Sequence, residues 1–169
     1  RVKIEISCLS MDEPTELRQI RSLIGESFDG EDTDADSLAR TVVPTRTFLE
    51  KLFLLAEEFQ KEKPRSVRMS RHLYDLAKLM DTEYGVEALS NRTLYDAIVE
   101  HRKAYYALKY VNYDLHAPST INFTIPESVI GAWQDDYTDM KRFFIYGESL
   151  EFEALMQKMK ELQERVKIL

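Results

Sequence analysis

The chain has 169 residues, of which 44% are hydrophobic and 31% charged, and its formal net charge is −7. This composition suits one domain, or one lobe of a larger protein, and it argues against a membrane protein because no apolar run approaches the ~20 residues that span a bilayer. The negative charge argues against a uniformly basic nucleic-acid-binding protein. Cys8 is the single cysteine, which is compatible with a reducing environment, and we expect a cytoplasmic protein without a membrane partner.

The first predicted elements are a strand and a short helix. Residues 2–7 alternate apolar and polar side chains, as half-buried strands do, and Glu5 lies on the polar side. An isolated pair of strands is marginally stable, so we expect the opening strand to belong to a larger sheet with further strands upstream. Pro14 precedes a predicted short helix whose apolar stripe comprises Leu17, Ile20, Leu23 and Ile24. Residues 41–43 form a second strand candidate.

An acidic loop is predicted at residues 29–37, which are polar and poor in strand-forming side chains. The alternate spacing of Asp32, Asp34 and Asp36 invites comparison with a calcium-binding loop. However, Ser37 stands where that loop needs glycine, and Val43 stands where it needs glutamate. The pattern therefore argues against an EF-hand.

The remainder of the chain has mainly helical periodicity. A helix is predicted from about 46 to 61, with Thr45 or Thr47 able to cap its start, and another from about 69 to 81, followed by a turn at Gly85. Their predicted core residues are Phe48, Leu52, Leu55 and Phe59 in the first helix and Leu73, Leu76, Ala77 and Met80 in the second. Further helices are predicted at 91–110, 126–146 and 149–166, with an extended stretch at 121–124. The fold class predicted is α+β and mostly α-helical.

Lys51 is the first candidate functional residue. It lies with Thr47 and Glu58 on one side of the predicted helix, beside the apolar face. A lysine in that position can reach a phosphate as a point charge. The alternative, which spacing alone favours, is a surface lysine paired with Thr47 or Glu58.

A second candidate group lies on the next helix, where Arg71, Asp75 and Lys78 share one polar face. In the functional interpretation, Asp75 is a carboxylate that orients a base, a metal-bound water or Lys51. In the alternative, Arg71 and Asp75 form a solvated ion pair and His72, one step off this face, is structural or exposed. A basic run that could hold one phosphate-bearing ligand comprises Lys61, Lys63, Arg65, Arg68 and Arg71.

Glu5 is a candidate of a different kind. Outward glutamates are common on strands, and that is the alternative here. The functional interpretation is a carboxylate at the end of a catalytic sheet, helping to hold Mg²⁺ with other carboxylates. The sequence contains no glycine-rich phosphate turn followed by a strand with paired carboxylates.

Three segments carry a resemblance to a known family. Residues 44–52, Pro-Thr-Arg-Thr-Phe-Leu-Glu-Lys-Leu, resemble the "R-T-F-x-E-K" helix of AbiEii-type nucleotidyltransferases, the toxin enzymes of abortive-infection and type IV toxin–antitoxin systems. Residues 71–76, Arg-His-Leu-Tyr-Asp-Leu, resemble the family's "R-H/D-x-Y-D-L" helix. Residues 2–7 look like the strand that carries a third carboxylate in the nucleotidyltransferase sheet. Residues 136–148 are in addition similar, more weakly, to the family's C-terminal helices, so the resemblance covers most of the chain and is most specific in the two helices.

The resemblance implies that residues 1–44 end a nucleotidyltransferase-like lobe and that residues 45–169 form a helical C-terminal lobe. It implies transfer of a nucleotidyl group from a nucleoside triphosphate to an acceptor, with Mg²⁺ as cofactor. It also implies an RNA acceptor and an antitoxin as partners. The family's glycine turn and Asp-x-Asp strand have no counterpart here, so a non-catalytic helical binding module and a degenerate transferase lobe stay open as alternatives. The implied site residues are Lys51, Asp75 and Glu5 as the catalytic set, with Glu5 on the metal side, and Thr47, Arg71 and Lys78 as substrate-binding residues.

Overall fold

The computed structural model of the chain describes residues 4, 14–28, 30–31 and 35–169. Contacts divide the chain into two compact units, Arg1–Val43 and Pro44–Leu169. The first contains the described strands and the second contains most of the helices, which confirms the predicted α+β, mostly α-helical class. Within the described ranges, the helices are too short or too polar to cross a membrane.

A β-hairpin is the main feature of the first unit. Strand β1 (Thr15–Arg21) pairs antiparallel with β2 (Asp36–Val42), so that Thr15 lies opposite Val42 and Arg21 opposite Asp36. The short helix α1 (Leu23–Ser27) follows β1, and the Ser22 hydroxyl caps it by accepting a hydrogen bond from the Gly25 amide at 2.9 Å. A side chain at Gly25 would clash, since an added Cβ would lie 2.3 Å from Cβ of Ala35. Glycine at this position therefore permits the turn to close.

The sequence prediction for this unit was wrong in one element. Residues 15–21, predicted as the start of a helix, form β1 instead. Leu17 and Ile20 have helical spacing, but pairing with β2 satisfies the backbone along the whole segment, and periodicity within one segment cannot reveal that partner. The strand predicted at 41–43 is confirmed at residues 41 and 42, and it begins earlier, at Asp36, so residues 36 and 37 of the predicted loop belong to β2. The strand predicted at 2–7, including Glu5, lies outside the described residues except for Ile4, which is exposed.

Six α-helices build the second unit, and four of them follow the prediction closely. Helix α4 (Glu83–Ala88), over residues where a turn at Gly85 was predicted, is an addition. It packs tightly on the end of α3 (Ser70–Leu79), because a Cβ at Gly85 would lie 2.3 Å from the carbonyl oxygen of Leu79. The helices are α2 (Pro44–Glu58), α3 (Ser70–Leu79), α4 (Glu83–Ala88), α5 (Arg92–His101), α6 (Ile130–Phe143) and α7 (Phe152–Lys167).

Helix α5 ends before the predicted limit of residue 110. It continues as a π-helical turn over Arg102–Tyr106 and stops at Ala107, whose φ of 43° is left-handed. Residues 121–124, predicted as an extended stretch, form neither a helix nor a strand. There the Gln163 side chain takes the place of a neighbouring strand, accepting from the Phe123 amide at 3.2 Å and donating to the Ile121 carbonyl at 2.6 Å.

The core of the second unit lies between α2, α3, α6 and α7. Most of the core residues predicted for α2 and α3 are fully buried, whereas Phe59 and Ala77 are half-buried. Their burial fixes the rotation of both helices, so the polar faces that carry Lys51 and Asp75 have defined directions. The fully buried members of the predicted set are Phe48, Leu52, Leu55, Leu73, Leu76 and Met80.

Candidate functional site

An ion pair between α2 and α3 is the centre of the candidate site. The Lys51 ammonium lies 2.7 Å from Oδ2 of Asp75, and both side chains are partly exposed. The two residues come from the two different helices that carried the family resemblance. The structure therefore brings Lys51 and Asp75 together across the helix interface, at a position that solvent and ligands can reach.

The observed ion pair differs from the partners that helical spacing favoured for Lys51 and Asp75. Lys51 pairs neither with Thr47 nor with Glu58, and Asp75 pairs with Lys51 and not with Arg71. Glu58 instead binds Lys61 at 2.7 Å and accepts a hydrogen bond from the Arg65 amide at 2.7 Å. Both alternative ion pairs were predicted within a single helix, whereas the observed partners lie on different helices.

The other predicted site residues lie around this ion pair or outside the described residues. Thr47 is one turn before Lys51 on α2 and is half-buried. Arg71 and Lys78 are exposed on α3, and the Lys78 ammonium lies 5.6 Å from the centre of the Tyr74 ring. Glu5 is outside the described residues, so its predicted role stays a prediction.

His72 adds a buried imidazole to this surface. Only 7% of the residue is exposed, and its Nδ1 atom has no hydrogen-bond partner among the described residues. Burial, followed by the positive charges of Lys51 and Arg71, lowers the pKa of His72 to about 4, although Asp75 acts in the opposite direction. His72 is therefore a neutral group at pH 7, with cations close by.

We expect the folded state to lose stability as the pH falls below neutral. An unfolded His72 binds a proton below its ordinary pKa of 6.5, whereas the folded one stays neutral down to about 4. Its stabilising contribution is thus complete above pH 6.5 and is lost towards pH 4, with a loss of about 2 kcal/mol at pH 5. The free energy of unfolding, followed in urea by fluorescence of the buried Trp133 at pH 7 and pH 5, measures this loss.

The control for this pH dependence is the variant His72→Gln. Its free energy of unfolding should fall by about 2 kcal/mol less between pH 7 and pH 5 than that of the wild type. A residual dependence is expected from His116, a fully buried histidine whose pKa is also lowered by burial. An unchanged pH dependence in His72→Gln would contradict the assignment to His72.

The loop that carries the basic run is held at both ends by carboxylates. Glu58 binds one end, through Lys61 and the Arg65 amide. At the other end Asp136 of α6 accepts hydrogen bonds from the Arg68 amide at 2.6 Å, the Ser70 amide at 3.0 Å and the Ser70 hydroxyl at 2.5 Å. Asp136 thus caps α3 from another helix, and it stabilises Arg68 in a left-handed conformation with φ of 59°. Helix α6 thereby fixes the first turn of α3.

A buried charge network lies on the inner side of α2. The Arg102 guanidinium binds both carboxylate oxygens of Glu57, at 2.7 and 2.5 Å, and also contacts Glu50. Glu50 in turn binds Arg46 at 3.2 Å. Burial lowers the pKa of Arg102, but the hydrogen bonds and negative charges of Glu57 and Glu50 outweigh it and raise the pKa overall. Arg46 and Glu50 of the family-like segment therefore stabilise the helix packing, while Lys51 lies on another side.

Sequence reasoning missed Arg102, Glu57 and Asp136. A signal for Glu57 was present, because this glutamate lies among the apolar residues of the α2 face, and charged residues are rarely buried without a partner. Asp136 lies in a segment that is similar to the family's C-terminal helices, but nothing in the sequence indicated its capping role, which depends on a loop 66 residues away.

The described residues do not form a magnesium site by themselves. They contain no group of three or more histidine, cysteine, aspartate or glutamate side chains with the geometry of a metal site. Mg²⁺ favours oxygen ligands, usually one or two carboxylates together with substrate phosphates. Asp75 is the carboxylate at the candidate site, and Lys51 already engages it.

Comparison with known proteins gives one positive finding. A family model described as "Nucleotidyl transferase AbiEii toxin, Type IV TA system" matches residues 1–158. Neither a curated protein nor a solved structure matches the chain. The matched region covers nearly the whole chain and includes Lys51 and Asp75.

Proposed function

We propose, starting from the fact that this chain belongs to the AbiEii family of nucleotidyl transferase toxins of type IV toxin–antitoxin systems, that its helical unit binds the triphosphate of a nucleotide substrate. The observation that carries this proposal is the 2.7 Å contact between Lys51 and Asp75. It joins the two segments that resemble the family at one accessible surface. Arg71 and Lys78 lie on the Asp75 helix and Thr47 lies beside Lys51, so these three are proposed as supporting substrate contacts.

In nucleotidyl transfer, an acceptor hydroxyl attacks the α-phosphorus of a nucleoside triphosphate and pyrophosphate leaves. The protein contributes mainly by positioning the phosphates and by stabilising the negative charge that moves to the leaving group. Lys51 supplies a point charge for the triphosphate. Asp75 holds the ammonium in place until the phosphates arrive, which restricts the positions that Lys51 can take. The described residues do not fit a Mg²⁺ site, so no step is assigned to the metal.

The proposed partners follow from the family. A toxin of a toxin–antitoxin system has an antitoxin as its partner. We further propose a nucleoside triphosphate delivered with Mg²⁺, an RNA acceptor and a cytoplasmic location. The basic run from Lys61 to Arg71 is the proposed path for phosphates of the acceptor, since phosphate contacts need cationic side chains but no base recognition.

Isothermal titration of the chain with each of the four nucleoside triphosphates, in the presence of Mg²⁺, tests the proposal. We expect saturable binding that Lys51→Ala weakens about 10- to 100-fold and that Lys51→Arg partly retains, because arginine keeps the charge. Equal binding by the wild type and Lys51→Ala would reduce the Lys51–Asp75 contact to a solvated ion pair. It would favour a non-catalytic helical binding module instead.

A further inference from the structure

Arg68 and Arg71 are the two arginines of residues 44–169 that form neither an ion pair nor a contact with an aromatic ring. Their guanidinium groups therefore keep their full capacity to bind an anion. The other arginines of this range are paired as follows: Arg46 with Glu50, Arg65 with Glu58, Arg92 with Asp96, Arg102 with Glu57, Arg142 with the Phe143 ring and Arg165 with Asp81.

Both of these arginines line the same groove. It has a volume of about 550 Å³ and lies between the first turn of α3 and the C-terminal half of α6. A volume of this size is within the range of small-molecule sites, roughly 300–1,000 Å³. The apolar part of its lining comprises Val67, Met140, Phe143 and Phe144.

The aromatic side of the groove is open to solvent. Phe144 is 69% exposed and Phe143 is 58% exposed, which is unusual for side chains of this size. The guanidinium of Arg142 lies 4.9 Å from the centre of the Phe143 ring, whereas Phe144 has no aromatic or cationic partner within the described residues. An open aromatic ring next to free guanidinium groups offers stacking and charge at one place.

The groove is also held in shape without a ligand. Asp136 binds the Arg68 and Ser70 amides and thereby fixes the backbone from which Arg68 and Arg71 extend. The Asp136 carboxylate accepts these bonds from neutral donors and forms no ion pair with Arg68 or Arg71. Asp139 is the other carboxylate of the lining, and it is exposed and forms no ion pair with either arginine. Its negative charge should oppose anion binding, so its removal should strengthen binding.

We propose that this groove is a nucleotide-binding subsite, in which the base stacks against Phe144 and Phe143 and a phosphate binds Arg68 and Arg71. Nucleotides combine the two properties that the lining selects for, since every base has a face for stacking and phosphates match the planar donors of arginine. The inference rests on the proposed function, because Arg71, which lines the groove, lies one helical turn before Asp75 on α3 and so connects the groove to the Lys51–Asp75 surface. The nucleotide comes either from the incoming triphosphate or from the end of an acceptor strand.

Titration of the chain with the four 5′-mononucleotides AMP, GMP, CMP and UMP tests the groove without a triphosphate. Phe144→Ala should raise the dissociation constant about tenfold, since stacking of one base contributes a factor of about 5 to 150. Arg68→Asn should raise it by about the same factor, and asparagine tolerates the left-handed backbone at this position. Asp139→Asn should lower the dissociation constant about threefold by removing a repelling charge.

Tyr146→Ala is the matched control, because Tyr146 is a fully exposed aromatic residue two positions beyond Phe144 that does not line the groove. Absence of mononucleotide binding by the wild type, or unchanged binding by both Phe144→Ala and Arg68→Asn, would overturn the inference. If Lys51→Ala weakens triphosphate binding while Phe144→Ala and Arg68→Asn leave mononucleotide binding unchanged, the nucleotide-binding role of the groove is contradicted. The proposed function is then still supported. Weaker mononucleotide binding in the groove variants, with no effect of Lys51→Ala on triphosphate binding, supports the groove and contradicts the proposed role of Lys51.

Competition distinguishes the two sources of the nucleotide. Displacement of the bound mononucleotide by a nucleoside triphosphate assigns the groove to the incoming substrate. Displacement by a four-nucleotide single-stranded RNA, with none by a triphosphate, assigns it to the acceptor. Either result supports a nucleotide subsite, whereas displacement by inorganic phosphate alone, at equal concentration, would show that the base makes no contact and would overturn the inference.

Discussion

Glu57→Gln is expected to destabilise the helical unit by about 3–5 kcal/mol, which is the usual cost of breaking a buried ion pair from one side. Glu57 is 3% exposed and Arg102 is 4% exposed, so water cannot replace the lost charge. Arg46, Glu50, Glu57 and Arg102 together are electrically neutral. Removing the charge of Glu57 leaves one uncompensated positive charge in a region of low dielectric constant.

The urea midpoint of the Trp133 fluorescence transition measures this effect, since Trp133 is the single tryptophan and is fully buried in the helical unit. Asp96→Asn is the matched control. It breaks the Arg92–Asp96 pair, which has a similar length of 2.8 Å but more than half-exposed side chains, and should cost less than about 1 kcal/mol.

The double variant Glu57→Leu, Arg102→Met separates the pair from its parts. Replacing both charges with apolar groups of similar size removes the desolvation penalty together with the attraction, so it should recover most of the stability lost in Glu57→Gln. A double variant as unstable as the sum of the two single variants would contradict this account. It would show that shape, and not charge balance, makes these residues necessary.

The helices that sequence alone predicts well are those whose apolar stripe is repeated within one segment. In α2 and α3 the stripe through Phe48, Leu52, Leu73 and Leu76 becomes the core, because burial of these side chains decides the helix orientation. The same reasoning failed for residues 15–21, since the apolar spacing there fits a helix while the pairing with β2 decides the structure. Helix α4 was missed because a glycine in its interior usually indicates a turn. Its glycine instead permits close packing against the end of α3.

The candidate site was predictable in its residue types but not in its partners. Family-like segments pointed to Lys51 and Asp75 separately, and helical spacing suggested partners for each within its own helix. The observed contact depends on how α2 packs against α3, which a single sequence does not specify. His72 was expected to be structural or exposed; it is buried, as a structural histidine would be, and burial together with the neighbouring cations Lys51 and Arg71 lowers its pKa.

Substitutions of the two members of the central ion pair should change triphosphate affinity in opposite directions. Lys51→Ala removes the proposed phosphate contact and should weaken binding by about 10- to 100-fold, the range for a hydrogen bond to a charged group. Asp75→Asn should strengthen binding by about tenfold, because the carboxylate 2.7 Å from the ammonium competes with the phosphates for the same charge. Titration of both variants with one nucleoside triphosphate, with Mg²⁺ and again with a chelator, measures both effects.

The sign of the Asp75→Asn effect decides the role of the carboxylate. Tighter binding in both conditions would show that Asp75 competes with the phosphates for Lys51, since a neutral amide still occupies the same space without attracting the ammonium. Weaker binding confined to the Mg²⁺ titration would contradict this prediction and make Asp75 a ligand of the metal that accompanies the triphosphate. Asp96→Asn, in an exposed ion pair on α5, should leave both titrations unchanged. The two roles differ in their effect on triphosphate affinity. A carboxylate that binds the Mg²⁺ accompanying the triphosphate raises this affinity, whereas a carboxylate that binds the ammonium of Lys51 lowers it.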